Sequence, residues 1–415
     1  MPQKHMSVLR ENKAVNVSPN TQPGRPLAVL LALSSGRFCM GMQLQTVASL
    51  TPFLIADLNF SYSEIGLLIG LFLAPGVILA VPGSLLVARL GHVPIGVAGL
   101  IFMAVGSVCL GFVDTFWQAA VSRLIAGTGG ILLNISFLRL TARLYHGNTM
   151  NRAISIVMSS WPVGLGLGAI AYPVIADIWH WQVAMWVVAG ITFASALCVV
   201  LIVPEPARPN GSDGAPVLTA ISPRSWYLSL SLGASFACFT AGGIIYLSFA
   251  PTFFEGQGMT LAGAGAAASM IVWLGLIGTP LGAWLADKFD ATRSVILVGA
   301  VVSALLVVPV LFDWDPMVMG IILGIIWGLP AAPYTGLLQR MLPQEDLGLG
   351  YGIYFLLFYS GFFLFPFVAG WILDETGDPA APLWFAAGLM MISAALILIF
   401  YRGAHSTKWA MRHSN

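Results

Sequence analysis

Long apolar runs separated by short polar turns repeat along the whole chain. They cover 27–53, 63–87, 94–112, 117–141, 153–175 and 182–203, then 226–253, 261–286, 294–312, 317–341, 349–373 and 381–402. Each is about the 20 residues a helix needs to cross the hydrocarbon core of a bilayer. They are too long for barrel strands, and in lipid each backbone donor must be satisfied within its own segment, so the pattern predicts helices throughout. The fold class expected is an all-α membrane protein with twelve transmembrane helices in two six-helix halves. A Pro-, Gly-, Ser- and Asp-rich stretch, Pro204 to Ser225, has linker composition. It divides the chain into a tail (1–26), a first bundle (27–203), the linker (204–225), a second bundle (226–402) and a tail (403–415). The tail before the first span is polar and has no apolar core, so no cleavable signal peptide is expected.

Charge then orients these spans. With an even number of spans both tails lie on one side, and that side collects Arg89, Arg143, Arg152, Arg208, Arg224, Lys288, Arg293, Arg340, Arg402, Lys408 and Arg412. The other side collects acids, among them Asp57, Asp114, Asp177, Glu255, Asp313, Asp315, Asp374, Glu375 and Asp378, and no Lys or Arg. The positive-inside rule makes the basic side cytoplasmic, so a multi-pass protein of the plasma or inner membrane with both termini inside is expected. Composition agrees: 58% of the 415 residues are hydrophobic and 8% charged, against roughly 25% charged in a soluble domain. A formal net charge of +1 gives no reason to expect a nucleic-acid partner. Cys39, Cys109, Cys198 and Cys238 lie singly in apolar runs without the spacing of a metal or redox site. No nucleotide-binding glycine loop, His/Glu metal pattern or nucleophile elbow is present, so neither a cofactor nor an enzyme is expected.

The exception to the apolar pattern is Arg37, near the middle of the first span. An arginine at the bilayer centre costs roughly 2.5 to 3.5 kcal/mol on insertion scales and is normally turned toward protein or a watery cavity. Ser34, Ser35 and Gly36 precede it, and Gly41 and Gln45 share its helical face. The alternative is an arginine that pins one helix to a neighbour's carbonyls. Arg123 in the fourth span is a second deep arginine, with Asn134 returning to almost the same face eleven residues on. Coupling or a structural tie would each explain it. All seventeen acids fall in loops, tails or helix ends. A cavity whose deep charges are arginines is positive and favours an anion. Trp161, Tyr246, Trp273, Trp327, Tyr334, Tyr354 and Tyr359 are aromatic candidates for a pathway lining, and each also fits packing or a lipid interface. A proton, if used, would travel with the substrate or on a group near the external mouth such as Glu64.

The halves resemble each other. PGSLLVARLG (82–91) ends the second span as PLGAWLADKFD (280–290) ends the eighth, and YPVIADIWHW (172–181) parallels FPFVAGWILDETG (365–377). Matched Pro/Gly interruptions mark carriers whose halves rock about a midplane site. With RLIAGTGG (123–130), the turn NRA (151–153) and WHWQ before the sixth span, the chain resembles the major facilitator superfamily over all twelve spans. In that superfamily's Gly-x-Leu-x-Asp-Arg-x-Gly loop signature, Gly282, Leu285, Asp287 and Lys288 match in the second half; in the first half Arg89 and Gly91 remain but Ala88 replaces the acid. The resemblance implies a gating role for Arg89, Asp287 and Lys288, and places Tyr246 and Tyr334 in spans that line the cavity. Arg37 looks similar to the substrate arginine of organic-phosphate and organic-acid carriers, though Gly36 stands where organic-acid porters often carry an acid. The stretches around it also resemble the cyanate and nitroimidazole transporter-like group. WPVGLGLG (161–168) partly matches an antiporter Gly-Pro motif and equally fits close helix packing.

The expected function is secondary transport of a small anionic or acidic solute by a monomer in the bilayer, with an ion co-transported or exchanged. Arg37, Gln45, Arg123, Asn134, Tyr246, Trp327, Tyr334 and Tyr359 are the candidate substrate residues, and no metal site is expected. Efflux of neutral or weakly acidic drugs and a non-transporting solute sensor are the competing readings.

Overall fold

A computed structural model describes residues 25–146, 148–206, 221–312 and 314–412. Most of the first tail, the centre of the linker (with Arg208) and the last three residues lie outside the described residues. Among the described residues, twelve helical spans are long and apolar enough to cross a membrane. The first is α1 (Pro26–Ser49), which bends at Leu50 into α2 (Thr51–Leu58). The second is α3 (Tyr62–Leu71) and α4 (Pro75–Leu90). Then follow α5 (His92–Leu110), α6 (Phe116–Leu144), α7 (Asn148–Ile178) and α8 (Trp181–Ile202). The second half has α9 (Pro223–Gly256), α10 (Leu261–Lys288), α11 (Thr292–Val310), a tenth span of α12 (Pro316–Gly328) and α13 (Ala331–Met341), α14 (Leu347–Thr376) and α15 (Ala381–Arg412).

The breaks have a common cause. Proline lacks an N–H and its ring crowds the carbonyl four residues back, so Pro52, Pro75 and Pro330 each interrupt a ladder that hydropathy alone reads as continuous. The first apolar run, to Phe53, is therefore two helices, and the last helix runs ten residues beyond its apolar run, which ends at 402.

Within the first half α1 packs on α7 and α8, and α5 on α6 and α8; within the second, α9 packs on α15 and α14, and α10 on α12. The halves meet chiefly where α3 crosses α14 and α7 crosses α10. Both crossings are backbone-close. A Cβ on Gly66 would lie 2.1 Å from the Pro366 carbonyl oxygen, one on Gly370 2.0 Å from that of Tyr62, and one on Gly265 2.4 Å from that of Ala169. Small residues are how helices approach closely where lipid supplies no hydrophobic drive. By chain direction these contacts lie toward the face opposite the described chain ends. The part of the second span nearer the chain ends, α4, touches α14 far less than α3 does. Gly348 and Gly352 of α14 have open space where a Cβ would project. The two halves are thus closed on the far face and parted toward the face that carries the chain ends.

Candidate substrate site

Arg37 is buried at 7% exposure halfway along α1. Its neighbours are brought in by missing side chains. A Cβ on Gly36 would sit 2.5 Å from the Phe137 ring of α6, and one on Gly41 2.0 Å from the Trp161 carbonyl oxygen of α7. With α6 and α7 drawn against α1, the Arg37 Nη1 donates to Asn134 Oδ1, and its Nη2 lies 3.9 Å from the Met158 thioether. A thioether is a weak acceptor. The Nε–H has no partner, nor has the buried Ser34 hydroxyl one turn earlier on the same face of α1. No carboxylate pairs with this guanidinium among the described residues. The second half contributes Tyr359 of α14, whose ring covers Gly76 so closely that a Cβ there would be 2.7 Å away, and whose hydroxyl faces Asn134. Arg37, Asn134 and Tyr359 therefore meet across the two halves.

Behind Tyr359 stands an aromatic wall. Its ring is 5.3 Å from Phe358, which stacks on Phe236 at 5.3 Å; Phe236 stacks on Tyr354 at 5.1 Å, and Phe239 on Trp327 at 5.9 Å. The Trp327 and Trp161 indole N–H groups and the Tyr246 and Tyr354 hydroxyls are buried without partners. Tyr334 differs. Its hydroxyl exchanges hydrogen bonds with Ser235 (2.8 Å) and Ser393 (2.7 Å), which ties α13 to α9 and α15.

Two other candidates lie apart from Arg37. Gln45 donates to Ser49 at 3.1 Å and lines a cavity of about 10 Å³ with Ser49, Thr252 and Glu255, toward the far face. All three guanidinium nitrogens of Arg123 are engaged. Its Nε donates to the Leu68 carbonyl (2.9 Å), Nη1 to the Gln43 carbonyl (2.7 Å) and the Thr46 hydroxyl (3.1 Å), and Nη2 to the Leu44 carbonyl (3.4 Å), with its guanidinium 4.8 Å from the Phe72 ring centroid. The stripe expected to join Arg123 to Asn134 is divided. Eleven residues restore the face but separate the two by roughly 16 Å along the helix, and Asn134 belongs to Arg37.

Of the gating candidates, Asp287 accepts from Arg340 of its own half at 2.7 Å, Lys288 lies 4.5 Å over the Trp284 ring, and Arg89 is exposed. Glu64 closes a capping box with Ser61 at the start of α3. Met158 was not foreseen, since nothing in sequence distinguishes a methionine beside an arginine from one in a core.

The model of the Major Facilitator Superfamily matches residues 33–366 and 232–413. Human protein spinster homolog 1 is 27% identical over 248 residues, 56% of this chain and 46% of that protein. This chain thus spans less than half the length of the spinster homologs it matches. The lysosomal dipeptide transporter MFSD1 of Danio rerio is 22% identical over 85% of this chain and 82% of its own length. Crystal structures of a bacterial homolog to the human lysosomal transporter Spinster, described as inward-facing, share the fold. The occupied form has a TM-score of 0.62 at 19% identity and the unoccupied form 0.63 at 17%, covering 92% and 93% of this chain and 96% of that one. The spinster homologs and the two solved structures are Spinster proteins or homologs of them, whereas the surroundings of Arg37 suggested the cyanate or organic-anion branches. The twelve spans, the paired halves and the family match establish that this chain belongs to the Major Facilitator Superfamily.

Proposed function

We propose that this chain moves a small solute with an anionic group across the membrane by alternating access, and that Arg37 holds that group. One observation carries the reading: Arg37 is a buried cation with one good acceptor, an unpartnered Nε–H and no counter-anion among the described residues. A buried charge is normally paired and hydrogen-bonded, because an unpaired one is strongly unfavourable away from water. A carboxylate would satisfy these donors. Its two oxygens match the parallel N–H groups of a guanidinium fork, and the Ser34 hydroxyl is a further donor on the same face. The aromatic wall of the second half would take the apolar remainder. Organic acids satisfy this chemistry, and so does the free carboxylate of a dipeptide, the solute in the name of the Danio rerio relative. We place the chain ends in the cytoplasm, on the charge distribution. The lack of a carboxylate beside Arg37 among the described residues favours exchange or uniport of the anion, with any proton travelling on the substrate itself.

The test is a thermal-shift screen of purified protein against small carboxylates, inorganic anions, nitro-aromatics and dipeptides, since a ligand of the native state must raise its stability. An anion should raise the midpoint of the parent and leave Arg37→Ala unmoved. Equal stabilisation of both proteins would end the proposal.

A further inference from the structure

The far-face closure holds a contact between halves that substrate recognition does not require. Asp374, near the end of α14, reaches the start of α3: its Oδ1 accepts from the Tyr62 N–H at 2.9 Å and its Oδ2 from the Ser63 N–H at 2.7 Å. These are the first two amides of α3, which have no acceptor inside their own helix. A carboxylate there also sits at the positive end of the helix dipole. The N-cap Ser61 and Glu64 serve the other free donors of that turn, so Asp374 completes the cap from the opposite half. It does so where Gly370 and Gly66 bring α3 and α14 into backbone contact.

The other inter-half crossing on that face has no such device among the described residues. The start of α10 is capped by its own Thr260, whose hydroxyl accepts from the Gly263 N–H at 3.2 Å. Toward the chain ends, Asp287, the acid expected to gate, is bound within its own half to Arg340 at 2.7 Å.

We propose that Asp374 is the latch of the far face: its carboxylate holds the start of α3 across the halves while that face is closed, and must release it for the face to open. Both bonds join separate halves, so opening the α3 and α14 crossing breaks both together. Asp374 acts on which face is open, whatever solute Arg37 holds.

Cysteine accessibility in detergent-solubilised full-length protein tests this without knowledge of the solute. Two reporters suit, in a background whose four native cysteines are replaced and whose thermal midpoint matches the parent. Thr252→Cys lies in the small far-face cavity. Gly352→Cys lies two turns from Tyr359 on the same face of α14, in open space. Asp374→Asn should raise the thiol-labelling rate at Thr252→Cys by about tenfold or more, the scale of one charged hydrogen bond, and lower it at Gly352→Cys. Unchanged rates at both reporters would overturn the latch, and so would a parallel rise at both, which signals a loosened fold. A second pair of variants isolates the backbone donor. Ser61 is already extended and proline suits the first helical position, so Tyr62→Pro removes one N–H, while Tyr62→Ala controls for the side chain. Faster Thr252→Cys labelling in Tyr62→Pro than in Tyr62→Ala supports the latch; equal rates would refute it.

Discussion

Two arginines lie deep in the first half, Arg37 at 7% and Arg123 at 1% exposure, and their surroundings are opposite. Arg123 donates to three backbone carbonyls and a hydroxyl from α1 and α3 and lies against the Phe72 ring. Arg37 has one amide oxygen, one thioether and an idle Nε–H. Depth in a span therefore does not distinguish a tie from a binding group; the acceptor inventory does. Of its five donors, the guanidinium that finds four oxygens behaves as scaffold, and the one that finds a single oxygen keeps donors free, which is what the proposed substrate role requires.

The largest expected effect breaks the comparison on the Arg123 side. Arg123→Met should lower stability by about 3 kcal/mol or more, since charged hydrogen bonds contribute roughly 1.5 to 3 kcal/mol each, and Arg123→Lys should recover little because the planar fork is lost. Thermal unfolding of purified protein reads this directly. A midpoint within a degree or two of the parent would remove the scaffold role.

On the Arg37 side the signs reverse. Arg37→Met should leave the thermal midpoint unchanged or raise it, because it removes a buried cation that has no counter-anion among the described residues. It should abolish anion-dependent stabilisation and transport in vesicles. Arg37→Lys should also impair transport while keeping the charge. A destabilised Arg37→Met that still carries the anion would exchange the roles of the two residues.

Asn134→Asp sharpens the comparison by supplying the missing counter-anion from within. A carboxylate where Asn134 Oδ1 now accepts from Arg37 would pair with it, raise the thermal midpoint and compete with a substrate anion. Apparent affinity should fall about tenfold or more, the scale of one charge-assisted contact. Transport that is unaffected or stronger would show that the Arg37 charge does not meet the substrate.

How far the sequence could lead is shown by these same residues. Hydropathy located all twelve spans and most of their ends to within a few residues, because twenty apolar positions in lipid admit little besides a helix. It missed the breaks at Pro52, Pro75 and Pro330, since proline is as compatible with an apolar run as leucine. Arg37 was legible as an exception to its surroundings. Its pairing with Asn134 was not, because helical periodicity fixes the face a residue occupies and leaves open which neighbouring span meets that face at that depth. Tyr334 shows the same limit. Its place in an apolar run gave it the same standing as Tyr246, and only the contact with Ser235 and Ser393 separates a satisfied phenol from an idle one. Asp374 was read as an acid outside a span, and nothing local announces that its partners are amides more than 300 residues away.

The smallest effect concerns the side of the site that the second half supplies. Tyr359 faces Asn134 with its hydroxyl and rests its ring over Gly76, so it touches the Arg37 group only when the halves are together. Removing the hydroxyl keeps the ring on Gly76 and takes one polar group away from the side of Asn134, a change on the order of 0.5 to 1.5 kcal/mol, the scale of one neutral hydrogen bond. Tyr359→Phe should therefore shift apparent affinity by about threefold to tenfold and leave the thermal midpoint of the unliganded protein nearly unmoved. Gly76→Ala attacks the same contact from the other side. Its Cβ would lie 2.7 Å from the ring and force it away, so it should slow transport even where binding survives, because the ring could no longer close over the site. Measured by exchange rate and by ligand-induced thermal shift, the two variants should separate: Phe at 359 changes the shift more than the rate, and Ala at 76 the rate more than the shift. Identical profiles would mean that Tyr359 serves only to pack the two halves, and would leave Arg37 and Asn134 as a site built within the first half alone.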